Sequence, residues 1–110
     1  MEMIKNNQEF ETLIHKNKLS LVYFSRLWCG VCHALKPQVE TILKQYPEVA
    51  LTEVNIDDQP EIGAQQTIFS VPAFILFYEG KEFMRQAGYL KLDQLQDVLN
   101  RFRNLEEEGE

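Results

Sequence analysis

Apolar residues change their spacing several times along this chain, and each change marks an element. Phe10, Leu13 and Ile14 fall at helical spacing behind Asn6 and Asn7, either of which can cap a first helix ending near Asn17. Leu19 to Phe24 is a short continuous apolar run, the pattern of a strand buried on both faces. From Cys32 onward Leu35, Val39, Ile42, Leu43 and Tyr46 recur at steps of three and four. They predict a long amphipathic helix that stops before Pro47 and is kinked at Pro37. Ala50 to Ile56 alternates like a second strand, and Asp57-Asp58-Gln59-Pro60 opens a short helix with Pro60 in its first turn and Asp57 as its cap. Val71 to Tyr78 is a strand that Pro72 can only begin, because proline cannot donate to a ladder. Glu79-Gly80 is a turn, Lys81 to Ala87 the return strand of a hairpin, and Gly88 a bulge or close approach. Leu92, Leu95, Val98, Leu99 and Phe102 form the stripe of a last helix, with Lys91 where a cap would be expected and Asp93 compensating through the dipole. The order suggests an α/β protein with a mixed sheet covered on both faces, to which the residues before Asn6 can add an edge strand.

Composition narrows this picture. A chain of 110 residues, 45% hydrophobic and 11% aromatic, fills one core and no more. One domain is expected over residues 1–105, followed by a solvated acidic tail, 106–110, that frays. A net charge of -6 with scattered Lys and Arg argues against nucleic acid or an anionic membrane as partner. The opening residues lack an apolar signal core, and no run of about 18 apolar residues occurs. A soluble monomer of the cytoplasm is expected, because two cysteines in CxxC form suit a redox pair in a reducing compartment better than a structural staple.

That pair lies in Trp28-Cys29-Gly30-Val31-Cys32, directly after the first strand and at the start of the long helix. A thiolate, not a thiol, attacks a disulfide, so a working site needs one cysteine whose charged form is favoured and a second close enough to close a ring. At the helix start Cys29 meets unpaired N–H groups and the positive dipole end, with Cys32 one turn on. Lowering a thiol pKa from about 8.5 to about 7 raises the thiolate fraction at pH 7 from about 3% to roughly half, a shift of roughly 2 kcal/mol. A partly buried helix terminus contributes up to about 2 kcal/mol, so position alone supplies most of it. A structural zinc site normally needs four ligands, and the two histidines, His15 and His33, lack finger spacing. The other bland reading is an inert buried thiol pair. Neither metal nor cofactor is expected, and His33 reads as a solvated helix residue.

With these residues placed, the chain resembles the thioredoxin family over roughly residues 3 to 104. The anchors are Trp28 to Cys32, the helix proline Pro37, Asn55-Ile56-Asp57 at a strand end, Val71-Pro72, the Gly80 turn and Gly88. A lone CxxC would be weak; CxxC with an x-Pro pair about 40 residues later, each beside a strand, is strong. The resemblance implies a thioredoxin fold with four or five strands and four helices, and a Val71-Pro72 bond in the cis form. It implies a thiol:disulfide oxidoreductase reducing protein disulfides, with Cys29 attacking and Cys32 resolving. Trp28, Gly30, Val31, Val71, Pro72 and Gly88 would form the substrate surface, and a thioredoxin-reductase-type flavoprotein would recycle the site. The alternative is a binding or scaffold module that docks partners at the Val71-Pro72 surface; the intact dithiol favours the enzyme.

Three positions depart from the family. Val31 replaces a proline between the cysteines, Tyr23 replaces a buried acid, and Glu53 stands where a lysine usually faces that acid. Removing the proline frees the Val31 N–H at the helix start, where it can stabilise a thiolate. A potential between about -270 mV, the reference for thioredoxin, and about -180 mV, that of protein disulfide isomerase, is therefore expected. Tyr23 reads first as core packing, being a poor base with a pKa near 10. Glu53 is either exposed near a strand end or the displaced carboxylate, taking a proton from Cys32 through water that the Tyr23 hydroxyl orients.

Overall fold

The computed structural model describes residues 1–108. In chain order it contains β1 (Glu2–Met3), α1 (Asn7–Lys16), β2 (Leu19–Ser25), α2 (Gly30–Leu43), β3 (Val49–Asn55), α3 (Pro60–Gln65), β4 (Ala73–Tyr78), β5 (Lys81–Ala87) and α4 (Leu92–Glu108). The five strands form one sheet in the order β1-β3-β2-β4-β5. β1, β3 and β2 run parallel, and β4 and β5 are antiparallel additions. The expected edge strand is β1.

β2 lies at the centre with all seven residues buried, as its unbroken apolar run requires. Leu19, Leu21 and Tyr23 point to the face covered by α2 and α4, where they meet Val39, Leu43, Leu95 and Leu99. Val22 and Phe24 point to the other face, onto Phe10 and Ile14 of α1 and Ile62 of α3. A period of two in β2 thus divides one apolar run between two half-cores. At the exit of β2 both halves meet the loop that carries the cysteines.

Local start signals resolve in different ways. Asn6 caps α1, its Oδ1 accepting the Glu9 N–H at 2.8 Å. Asp57, expected to cap α3, does not: Gln59 holds that position without a side-chain bond, and Asp57 instead pairs with Arg26 at 2.8 Å. Asn55 performs the local task, its Oδ1 accepting the Asp57 and Asp58 N–H groups. Lys91 gives α4 no side-chain cap; its own N–H is donated to the side-chain oxygen of Gln86, five residues earlier in β5. α2 continues through Pro37 as one helix. There the proline removes the donor that would reach the His33 carbonyl, and its ring crowds that same carbonyl. Glu106 and Glu107, expected in a fraying tail, lie in the last turns of α4, and Glu106 pairs with Lys18. Residues 109 and 110 lie outside the described residues.

Candidate active site

The strand-to-helix junction after β2 carries the dithiol. Ser25 ends the strand, and its C=O accepts the Ile56 N–H at 3.0 Å, which ties the exits of β2 and β3 together. The Arg26–Asp57 pair braces the same two loops from outside. His33 is exposed, and its Nε2 lies 2.8 Å from the Leu27 C=O. A carbonyl can only accept, so Nε2 carries the proton, and the ring pins the loop just before Trp28.

Cys29 is the N-cap of α2, and its Sγ accepts the Cys32 N–H at 3.1 Å. The two cysteines form a disulfide with Cα atoms 5.2 Å apart. Cys29 is half-exposed, whereas Cys32 is buried beneath it. The helix start orients unpaired N–H groups at the outer sulfur, the arrangement that favours a thiolate there once the bond is reduced.

β4 runs antiparallel beside β2 with Ala73 opposite Phe24, so the preceding Val71-Pro72 sits level with the chain leaving β2 for the dithiol. The Val71-Pro72 bond is cis. The Pro72 C=O accepts the Gly88 N–H at 2.8 Å, which brings the end of β5 to the same rim. Gly88 has φ 82°, a left-handed conformation that a side chain would strain. Among the described residues, neither the N–H nor the C=O of half-buried Val71 has a hydrogen-bond partner. Trp28 is 93% exposed, and Val31 is also open to solvent.

Beneath the dithiol lies a polar cluster in an apolar surrounding. Tyr23, Ser25 and Glu53 share the α2 face of the sheet, with Tyr23 opposite Glu53 and Ser25 two residues along. Glu53 is only 2% exposed. Its Oε2 accepts the Ser25 Oγ–H at 2.6 Å, and its Oε1 meets Lys36 Nζ at 2.7 Å. That second contact is an ion pair without an aligned hydrogen bond, so Oε1 keeps acceptor capacity unused within the protein. Lys36 enters from α2 and is one-third exposed. Tyr23 donates its hydroxyl to the Cys32 C=O at 2.6 Å. Burial first, and then the Glu53 charge, push its pKa up to about 12, so it is a fixed neutral donor at physiological pH. Of the two environments open to Glu53, the structure shows the buried one.

The expected surface residues lie on the rim: Trp28 on the loop before α2, Gly30 and Val31 in the first turn of α2, Val71 and Pro72 before β4, and Gly88 after β5, with Cys29 half-exposed among them and Cys32 buried beneath. Tyr23 and Glu53 lie below. Four residues of the site escape a reading of the sequence. Lys36 and Ser25 complete the Glu53 cluster, signalled only by Lys36 falling four positions after Cys32 and Ser25 two after Tyr23. Phe69 and Tyr89 are 80% and 82% exposed on loops flanking Val71-Pro72 and Gly88. Large aromatics in segments otherwise read as connections were the available signal.

An accessible sulfur bonded to a buried one a helical turn away has one evident chemistry, the exchange of two electrons between dithiol and disulfide. Comparison with known proteins agrees. The family model described as Thioredoxin matches residues 2–101, and the chain belongs to the thioredoxin family. It is a thiol:disulfide oxidoreductase. The Bacillus subtilis thioredoxin-like protein YdfQ is 39% identical over 97 residues, covering 88% of this chain and 87% of the relative. The X-ray structure of Fasciola hepatica thioredoxin superposes with a TM-score of 0.83 at 32% identity, covering 92% of this chain and 98% of that one. Oxidised mitochondrial thioredoxin 3 of Saccharomyces cerevisiae superposes at 0.84 with 24% identity, covering 92% and 94%, a likeness of fold alone.

Proposed function

We propose that the protein reduces disulfide bonds in other proteins, with Cys29 as attacking thiolate and Cys32 as resolving thiol. The observation that carries this is the asymmetry of the pair, an accessible capping sulfur above a buried one. The Cys29 thiolate attacks one sulfur of the substrate, forming a mixed disulfide and expelling the other substrate sulfur as a thiolate, which takes a proton from water. Cys32 then loses its proton and attacks Cys29 Sγ. The Cys29–Cys32 bond closes and the second substrate sulfur leaves as a thiol. Two electrons and two protons pass to the substrate, and a thioredoxin-reductase-type flavoprotein of the cytoplasm supplies two electrons and two protons to the Cys29–Cys32 disulfide, which restores the dithiol.

Trp28, Gly30, Val31, Val71, Pro72 and Gly88 form the surface that receives the substrate. The free N–H and C=O of Val71 pair with an extended segment by strand addition. Glu53 accepts the Cys32 proton through water, and the unused capacity of Oε1 supports this role. Tyr23 fixes the Cys32 backbone in place while that happens. Val31 in place of proline puts the potential between about -270 and about -180 mV. Incubation of Cys32→Ser with an oxidised protein should accumulate a mixed disulfide through Cys29, visible on a non-reducing gel, whereas Cys29→Ser should trap none. Trapping through Cys32 would overturn the assignment, and a potential at or below about -270 mV in a glutathione titration would overturn the placing of Val31.

A further inference from the structure

Three loop segments meet at the dithiol rim: 27–32 before and into α2, 67–73 before β4, and 87–90 after β5. None contains Asp, Glu, Lys or Arg, in a chain where 25% of residues are charged and the net charge is -6. Of the charged residues nearest in sequence, Arg26 pairs with Asp57, Arg85 pairs with Glu82 and donates to the Gln66 and Thr67 C=O groups, and Lys91 directly follows the third segment. On this neutral rim stand Trp28, Phe69 and Tyr89, each at least 80% exposed, with Val31 between the cysteines. Phe69 lies two residues before Val71, and Tyr89 directly follows the Gly88 that hydrogen-bonds Pro72. Phe69 thus shares the loop of the free Val71 backbone, and Tyr89 lies on the loop bonded to Pro72. Exposed aromatics gathered around a reactive centre mark a surface that becomes buried when a partner arrives.

Resting on the reductase reading, we infer that Phe69 and Tyr89 are specificity-determining residues. They select disulfides whose reacting cysteine lies in an extended segment with apolar or aromatic neighbours. An extended chain paired to Val71 places alternate side chains on opposite sides, so residues beside the cysteine are carried toward the loops that bear Phe69 and Tyr89. A neutral rim gives no steering to charged segments, so apolar contact decides between substrates.

The test uses pre-reduced protein in single turnover with two disulfide-linked peptide homodimers. One has Phe and Leu beside the cysteine, the other Ser and Gln, so the two differ in apolarity and not in charge. The apolar peptide should be reduced at least about tenfold faster in second-order rate constant. Phe69→Ser with Tyr89→Ser should bring that ratio close to one, while Phe83→Ser, an exposed aromatic on β5 away from the rim, should keep the wild-type ratio. Equal rates for both peptides in the wild type overturn the inference and leave the reductase reading standing. A preserved ratio in the double variant overturns the assignment to Phe69 and Tyr89, and failure to reduce either peptide overturns both readings.

Discussion

Two regions meet at the Cys29–Cys32 bond and differ in nearly every physical respect. Above it lies an open, uncharged, aromatic rim; below it lies a closed cluster with a carboxylate, a lysine, a serine hydroxyl and a tyrosine. The rim exposes apolar surface that would be favourable to bury, and the cluster buries charge that is costly to desolvate. Each is poorly optimised for the isolated chain, and each becomes intelligible against one half of the exchange cycle. On the proposed reading, the rim acts when a substrate covers Cys29, and the cluster when buried Cys32 loses a proton.

The sharpest way to separate the two regions is through the sulfurs. Cys29→Ser should abolish turnover with insulin under dithiothreitol, read as turbidity, and Cys32→Ser should stall after the first attack. The cluster is tested next by Glu53→Gln. Mixed-disulfide resolution should slow by about tenfold, while the first attack keeps its rate. An unchanged resolution rate from pH 6 to 8 would remove Glu53 from proton transfer and leave the cluster a purely structural device. Lys36→Met leaves the buried carboxylate without its cation and should cost about 2 kcal/mol in urea unfolding. Adding Glu53→Gln should restore part of that loss, since the two changes act on one pair.

Tyr23→Phe carries the smallest effect, about 1 kcal/mol for the lost bond to the Cys32 C=O. It also has a pH signature. The folded-state pKa is raised above that of an unfolded tyrosine, so this contribution is whole below about pH 10 and falls as pH rises through about 12. Alkaline unfolding monitored by circular dichroism should lose that component in the variant. Unchanged alkaline unfolding would show that Tyr23 contributes nothing to it.

The outline of the fold was legible because it rests on local rules. The seven buried residues of β2 follow from an unbroken apolar run, the Asn6 cap from a polar side chain ahead of an amphipathic stripe, and the start of β4 from a proline that cannot donate. Asp57 was misread for an equally plain reason. A cap there would need the N–H of residue 59 or 60, but the Gln59 N–H is already bonded to the Asn55 C=O and Pro60 has none, so the carboxylate pairs with Arg26 on a neighbouring loop. The acidic stretch after Leu105 was read as tail from its composition. Helix α4 continues into it, with Glu106 placed beside Lys18.

The sequence by itself determined the strand-to-helix placement of the dithiol, the asymmetry of its two sulfurs and the proline before β4, because each depends on residues within about one turn or one strand of its neighbours. Tertiary structure alone decided what Glu53 is. A glutamate in an alternating strand can face water or the core; the parallel register sets it against Tyr23, and packing of α2 brings Lys36 to it. The same holds for the rim, where Phe69 and Tyr89 stand 20 residues apart in sequence and share a surface only because β4 and β5 pair and Gly88 bonds to Pro72. Periodicity reports which face of its own element a residue occupies, and contacts between elements depend on register and packing that no single segment encodes.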